Sequence, residues 1–239
     1  MSGRSRPPRA RRETLTRERI IDAAIELADR EGLGAVTMRR LGQHLGVEAM
    51  SLYKHVADKD AVLAGIADRV AAEFTLPARG VHWRTAIRDS SVAAHAVLLR
   101  HPWAGPLLES SLDPGPARLA YLDAVVGVLR DAGFPMMDVA QAFGALDSHL
   151  YGFTMQVVSW PFDVDDYAEV AAAMAAGLDA DRHPNLVAIA STVAASDGGV
   201  PLDFTFGLDL LLGGLQGRLD GPRDATPDAA APGAAARAR

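Results

Sequence analysis

Residues 37–63, TMRRLGQHLGVEAMSLYKHVADKDAVL, constrain the fold more than any other stretch of the 239-residue chain. They read as a helix, a tight turn, a second helix and the start of a third. Thr37 is a good N-cap, and Val36 before it can staple onto Leu41. Leu41 and Leu45 lie four apart on one helical face, and Gly42 beside them keeps that face narrow. Gly46 falls where the helix must end in a left-handed residue, which glycine adopts without steric cost. Val47 and Leu52 are apolar anchors that pin the second helix, expected over 48–55, across the first. Glu48, Ala49, Met50, Ser51, Tyr53 and Lys54 are left facing outward. This is the layout of a helix-turn-helix, whose second helix enters the DNA major groove. Standing alone, a helix–glycine–helix pattern suits an αα-hairpin in a helical core as well.

The neighbouring residues favour the DNA reader. Gly46-Val47, Leu52-Tyr53, His55-Val56, Lys59 and Leu63 occur in the order and spacing of one known domain. The block resembles the DNA-binding domain of the tetracycline-repressor (TetR) family of bacterial transcriptional regulators. Residues 16–36 resemble that family's first helix and its glycine-containing turn. The resemblance covers roughly residues 15–63, weakens through the middle of the chain and returns near 204–219. It implies an all-α chain with a three-helix DNA-binding domain followed by a larger helical domain for ligand binding and dimerisation.

Charge distribution agrees with that division. The chain carries a formal charge of −6, which by itself argues against a nucleic-acid partner. Residues 1–60, however, hold 12 Lys and Arg against 9 Asp and Glu, and the remainder hold 12 against 21. A head of +3 on a body of −9 suits a DNA reader attached to something else. No apolar run approaches the roughly 18–20 residues that span a bilayer, and MSGRSRPPRARRE lacks the apolar core of a signal peptide. A soluble, cytoplasmic protein with no membrane partner is expected. The chain has no Cys, which excludes disulfides and thiolate metal sites and fits a reducing compartment.

The expected organisation is a disordered basic arm over 1–13, a helix-turn-helix domain over 14–63 with a linking helix over 59–74, a helical body over 75–220 and a disordered tail over 221–239. The arm holds five Arg among Pro, Ser and Gly, and suits either a solvated tail or phosphate and minor-groove contacts. Thr16 is the N-cap of the first helix, whose apolar face is Ile20, Ala24, Leu27 and Ala28. Asp58 caps the linking helix, and Lys59 beside it is a cation where the helix dipole prefers an anion, a sensible placement if a phosphate sits there.

The body shows helical periodicity and two apolar stripes. Val139, Phe143, Leu146, Leu150, Phe153 and Val157 are spaced as a coiled-coil seam. Phe204, Leu208, Leu211, Leu212, Leu215 and Leu219 form the second, interleaved with glycines that cost about 1 kcal/mol each in a helix interior unless another backbone packs close. The stripes read either as intrachain core or as a four-helix homodimer interface, and the resemblance implies the interface.

Chemistry for an enzyme is lacking: there is no Cys nucleophile, phosphate loop, H-E-x-x-H or G-x-S-x-G. His95 and His101, six residues apart, fall on different faces of a helix, so a shared metal is not expected. No cofactor, metal or catalytic residue is assigned. The expected function is a DNA-binding transcriptional repressor released from a palindromic, double-stranded DNA operator by a small-molecule effector. An activator or co-repressor-dependent regulator of the same fold, and a helical interaction protein without a DNA role, stay open. Ala49, Met50 and Lys54 are the candidates for base edges, the first two on a thymine methyl and Lys54 on guanine. Thr37, Ser51, Tyr53 and Lys59 position the backbone by resemblance, and His55 completes the surface. Drug repressors sharing the LYxHV block carry Trp at position 54, so the operator should differ.

The body most resembles the tetracycline-repressor subgroup, through Trp83, His101-Pro102-Trp103 and FGLDLLLGGL. Three positions that hold drug and magnesium there, with His and Asn side chains, align with Thr75, Ser90 and Leu108. A leucine cannot ligate Mg²⁺, so no magnesium–tetracycline response is expected. Trp103, Leu107, Leu108, Tyr121, Phe134, Met137, His149 and Phe153 are the candidate lining of a mainly hydrophobic effector site, with Tyr121 and His149 as its polar groups. Each suits a plain core role too.

Overall fold

A computed structural model of the chain describes residues 14–110, 114–162, 166–196 and 203–221. The basic arm, residues 222–239 of the tail and the loop at 197–199 lie outside the described residues. Eleven α-helices and no strand occur among those described. Helix α1 (Arg17–Glu31) starts on Thr16, whose side chain accepts the Arg19 N–H, and buries Ile20, Ile21, Ala24, Leu27 and Ala28. A short 3-10 turn at Leu33–Ala35 leads to α2 (Met38–Leu45) and α3 (Ala49–Leu52). Helix α4 (Lys59–Ala71) buries Val62, Ile66 and Val70 against α1 on one side and meets α6 and α7 on the other. It is shared by both cores, so the reader and the body pack as one continuous apolar cluster. The linking helix is shorter than the expected 59–74, because Glu73 and Phe74 leave it in a tight bend that buries Phe74 edge-on against Tyr121.

The body consists of α5 (Trp83–Arg100), α6 (Ala104–Ser110), α7 (Pro116–Asp131), α8 (Met136–Val158) and α11 (Phe204–Asp220), with α5 and α8 at its centre. Helices α9 (Tyr167–Gly177) and α10 (Pro184–Ala194) pack chiefly on each other as a hairpin, with Met174, Leu186 and Ile189 exposed.

The two stripes turn out to face the chain's own core. Val139, Leu146 and Leu150 of α8 and Phe204, Leu208 and Leu212 of α11 are buried within the subunit, and Phe143, Phe153, Leu215 and Leu219 pack against them. These ten stripe residues belong to the subunit's own core, whereas Val157 and Leu211 stay half-exposed outside it. A 3.5-residue spacing reports a buried seam and does not say which chain covers it. Other apolar residues of these helices are exposed: Phe206 is 66% and Leu210 63% exposed on α11, and Met155 and Val158 are exposed on α8. The α11 glycines divide likewise. A Cβ at Gly207 would lie 2.6 Å from the His149 ring, whereas Gly213, Gly214 and Gly217 face open space within the subunit.

Candidate nucleic-acid interface and effector site

The reader is built from the turn outward. Thr37 caps α2 by accepting the Arg40 N–H, and Gly46 ends it with φ 66°, in the left-handed region. Gly42 is needed for a second reason: a Cβ there would sit 2.9 Å from the Val47 carbonyl oxygen and 3.1 Å from the Ala49 nitrogen. Only a residue without a side chain lets α3 cross α2 this closely. Leu52 and Val56 are fully or nearly buried beneath the turn. The recognition helix is shorter than the expected 48–55. It spans Ala49–Leu52, and residues 53–55 continue as a turn in which Leu52 accepts the N–H groups of His55 and Val56. The chain must turn here, because Val56 goes inward and Asp58 already caps α4 on the Ala61 N–H at 2.8 Å.

The candidate DNA residues are all exposed or half-buried. Met50 is 73% and Tyr53 45% exposed, Lys54, His55 and Lys59 are exposed, and Thr37, Ala49 and Ser51 are half-buried around them. Ion pairs of Arg40 with Glu31 and of Arg69 with Asp22 at 2.7 Å, and a hydrogen bond between His44 and Glu26 at 3.0 Å, brace the reader.

The reader is joined to the body through polar contacts at two points. Asp29, near the end of α1, accepts the Trp103 indole N–H at 2.6 Å and bonds His101 Nδ1 at 2.8 Å. His101 also faces Glu73, 3.4 Å away, and Arg100 pairs with Glu73. On α4, the Asp68 carboxylate accepts the Ala117 N–H at the start of α7. Trp103 thus belongs to the junction between the domains, not to an effector lining.

The eight expected lining residues are not brought together. Met137 is 70% exposed, and Phe134 packs edge-on against Trp83. Leu108 is fully buried in the core and Leu107 packs against it from outside. His149 stacks on Phe204 and bonds its carbonyl oxygen at 2.9 Å, so its Nε2 carries the proton. Phe153 meets both rings, and His95 also stacks on Phe204. His95 bonds Thr154 Oγ1, and burial lowers its basicity. His149 therefore ties α8 to α11 and does not address a chamber.

Tyr121 alone among the eight borders a crevice of about 20 Å³ between α5, α7 and α8. That is room for one water, against the several hundred Å³ of a typical effector site. Its polar lining includes Ser91 and Asp147, neither of which sequence reasoning singled out. Asp147 sits between the stripe residues Leu146 and Leu150, and a lone acid beside a seam was the one available signal. A larger trough of about 510 Å³ between residues 77–83 and α7 is open to solvent and rimmed by Arg79, Asp123, Arg130 and Asp131. Ser90, at one of the aligned drug positions, donates to the Thr75 carbonyl oxygen at 2.6 Å, and so is committed within the subunit. Among the described residues no group of three or more His, Asp or Glu is placed to hold a metal ion, and no helix is long and apolar enough to cross a membrane.

Comparison with known proteins gives this geometry a family. Residues 20–66 match the domain described as bacterial regulatory proteins, tetR family, and residues 76–219 match the tetracyclin repressor-like C-terminal domain. An HTH-type transcriptional regulator of Saccharopolyspora erythraea is 35% identical over 202 residues, 84% of each chain. The Escherichia coli tetracycline repressor protein class D is 29% identical, over 86% of this chain and 91% of its own. The Streptomyces coelicolor TetR family protein ActR, in complex with actinorhodin, superposes with a TM-score of 0.73 at 25% identity, covering 86% of this chain and 97% of its own. With both of its domains matched in order and across most of its length, the chain belongs to the TetR family of DNA-binding transcriptional regulators.

Proposed function

We propose that the protein is a homodimeric repressor that leaves a palindromic operator when a small effector enters the body between α5, α7 and α8. The observation that carries this is α4, which buries one face in the reader and lends Asp68 to the first turn of α7. Parting the body helices must move α7, and α7 cannot move without disturbing α4. A two-domain reader with a shared helix therefore has two arrangements that DNA and effector favour differently. The relatives support the direction: curated ones include named repressors, and one structural relative is a complex with actinorhodin.

In this reading Ala49, Met50 and Lys54 address base edges, while Thr37, Ser51, Tyr53, His55 and Lys59 position the phosphate backbone. The arm over 1–13 adds backbone contacts. Phe206, Leu210, Met155 and Val158 supply apolar area for the second subunit. The protein acts in the cytoplasm and is not an enzyme. The effector is largely apolar, and the leucine at position 108 makes a magnesium–tetracycline response unexpected.

The test is a fluorescence-anisotropy titration of the purified full chain on its own upstream DNA and on scrambled DNA. Saturable binding at two chains per site, at least a hundred-fold tighter on the specific fragment, is expected for such a repressor (about 10³–10⁷ in general). Equal affinity for both fragments would remove the repressor reading. Tetracycline with Mg²⁺, added to the complex, should leave it intact.

A further inference from the structure

We propose that His101 is a proton-operated latch between reader and body. With both ring nitrogens protonated it ties Asp29 of α1 to Glu73 beyond α4 and holds the reader in its operator-binding arrangement. The inference rests on the repressor reading above and adds a regulatory input, the proton, to it.

His101 ends α5 and is almost wholly buried, at 9% exposure. Its two ring nitrogens face two carboxylates on different segments of the chain. Nδ1 lies 2.8 Å from Asp29 Oδ1, and Nε2 lies 3.4 Å from Glu73 Oε1. Asp29 Oδ1 also accepts the Trp103 indole N–H at 2.6 Å, and Glu73 Oε2 accepts from Arg100 at 2.7 Å. The charged groups around the ring are therefore Asp29 from α1, Glu73 from the bend after α4 and Arg100 from α5. Trp103, just before α6, adds a neutral ring edge-on, 5.9 Å between centroids.

The chemistry of imidazole makes this arrangement conditional. A neutral ring has one N–H, and an ionised carboxylate only accepts. That proton sits on Nδ1, because Asp29 is the nearer acceptor. Nε2 then turns a lone pair towards Glu73, and the contact is repulsive. A second proton converts it into a charge-assisted bond. Charge balance points the same way. Two carboxylates against one guanidinium leave one negative charge over, which an imidazolium cancels. The carbonyl end of α5 adds partial negative charge at the same spot, since His101 is its C-cap. Exposed ion pairs contribute little, but here the ring between the carboxylates is shielded from water, its side chain 11% exposed.

The segments that the latch joins give it a direction. Asp29 sits near the end of α1, which carries much of the reader's core, and Glu73 follows α4, the helix shared with the body. His101 and Trp103 form the corner between α5 and α6. The three segments meet in the arrangement seen here, with the body helices closed on a crevice that has room for one water. Parting those helices moves α5 and draws the ring away from its carboxylates. A proton therefore favours the closed, operator-binding arrangement and an effector the open one. The two inputs oppose each other through one equilibrium. Imidazole changes charge between about pH 5 and 8, so the latch answers to mild acidification.

The experiment measures, by anisotropy, the affinity of the full chain for its own upstream DNA and for scrambled DNA at pH 6, 7 and 8 and constant ionic strength. Glu73→Gln and His101→Asn are compared with the native chain. Glutamine at position 73 can donate to the lone pair of a neutral ring while still accepting from Arg100, so it closes the latch without a proton. Asparagine at position 101 keeps a donor for Asp29, reaches no further and cannot titrate. From pH 8 to pH 6 native affinity is expected to rise about ten-fold more than that of either variant, within the ~5–150-fold usual for coupled sites. Glu73→Gln should bind tighter than the native chain at pH 8 and match it at pH 6. His101→Asn should match the native chain at pH 8 and fall behind it at pH 6. Histidines at the DNA surface, such as His55, are common to all three proteins and cancel in the comparison. Parallel pH profiles for the three proteins, or a Glu73→Gln that binds more weakly than the native chain at pH 8, would overturn the latch. Equal affinity of the native chain for both fragments counts against the repressor reading instead, and melting temperature then decides on the latch. The gap between the native chain and His101→Asn should widen by a few degrees from pH 8 to pH 6, and a constant gap would reject it.

Discussion

The carboxylate of Asp68, on the helix that links reader to body, accepts the backbone N–H of Ala117 at 2.8 Å and that of Arg118 at 3.3 Å. The first N–H groups of a helix lack intrahelical acceptors, and an anion there also meets the positive end of the helix dipole. Here the cap comes from a different helix, so it reports the relative position of two domains. Gly115 makes room for it: a Cβ at 115 would fall 2.3 Å from the Asp68 carboxyl carbon. Asp68→Ala should cost about 1 kcal/mol, the usual worth of a lost cap. In a thermal melt that is a fall of about 2–4 °C. Gly115→Ala should displace the same carboxylate, so the double variant should cost less than the two singles added. Strict additivity would show that the two residues do not share one contact. Asp68→Ala should also blunt effector-driven release, since α7 then no longer pulls on α4.

Gly42 sets the crossing of α2 and α3 by being too small to separate them. The atoms that a methyl group would meet belong to the backbone at Val47 and Ala49, and backbone cannot rotate aside. Gly42→Ala should cost about 1–3 kcal/mol, in the range of overpacking elsewhere, despite the higher helix propensity of alanine. Operator affinity should fall more than stability does, because α3 is tilted away from its groove. A variant that melts at the native temperature and binds operator normally would show that the crossing is looser than the structure has it.

Association should depend on the face of α11 opposite its buried stripe. Phe206 and Leu210 lie within about one turn of each other and are mostly exposed, and an obligate dimer interface needs on the order of 2,000 Å². Phe206→Arg or Leu210→Arg places an unpaired charge in such an interface and should yield monomer in light scattering at micromolar concentration. Leu212→Arg strikes the subunit core instead and should prevent folding. If both surface variants stay dimeric, the second subunit is held elsewhere.

How much of this was legible in the sequence depends on the range of the interaction. Thr16, Thr37 and Asp58 each act as the expected N-cap, and Gly46 takes the expected left-handed backbone, because caps and turns are decided within four residues. The apolar stripes were visible too, but periodicity cannot say whether the covering surface belongs to the same chain, and here it does. The lining of the crevice between α5, α7 and α8 was the least legible. Its membership turns on rotation about three helix axes that no local pattern encodes. Large aromatic residues were the natural guesses, yet Trp103 and Phe134 are used elsewhere. Asp147 is not aromatic and was passed over. The interdomain bonds of Asp29 and Asp68 span 74 and 49 residues and left no trace in spacing.

The DNA surface predicts a division of labour between neighbouring residues. Tyr53 and Lys54 are adjacent and both exposed at the end of the short recognition helix. Tyr53→Ala, by loss of a phosphate contact, should weaken binding to all sequences alike. Lys54→Ala should relax preference at one base pair per half-site, by about 1–3 kcal/mol. A dimer presenting two copies of Thr37, Tyr53, Lys59 and the arm should neutralise about 6–10 phosphates and lose affinity steeply with salt. Deleting residues 1–12 should flatten that slope. An unchanged slope would make the arm a passive tail.

Asp147 also makes a prediction that needs no ligand. Its carboxyl titrates at about 6 in the folded chain, against an ordinary value of 3.8. The folded state therefore takes up this proton more readily than the unfolded chain. Linkage then fixes the sign: the contribution of Asp147 to stability is fullest below about 3.8 and is lost as pH rises through about 6. Near neutral pH the protein carries an ionised carboxylate that the fold disfavours. Asp147→Asn keeps a neutral side chain of nearly the same shape at every pH. Its melting temperature should exceed the native one at pH 7.5, and the gap should close towards pH 4.5. The full shift corresponds to about 3 kcal/mol, and partial solvation of the carboxyl reduces that to about 1–2 kcal/mol, a few degrees in the melt. Other carboxylates gain protons as the pH falls, so the test is the difference between the two proteins rather than either profile. A gap of equal size at both pH values would mean that it does not arise from the charge of Asp147.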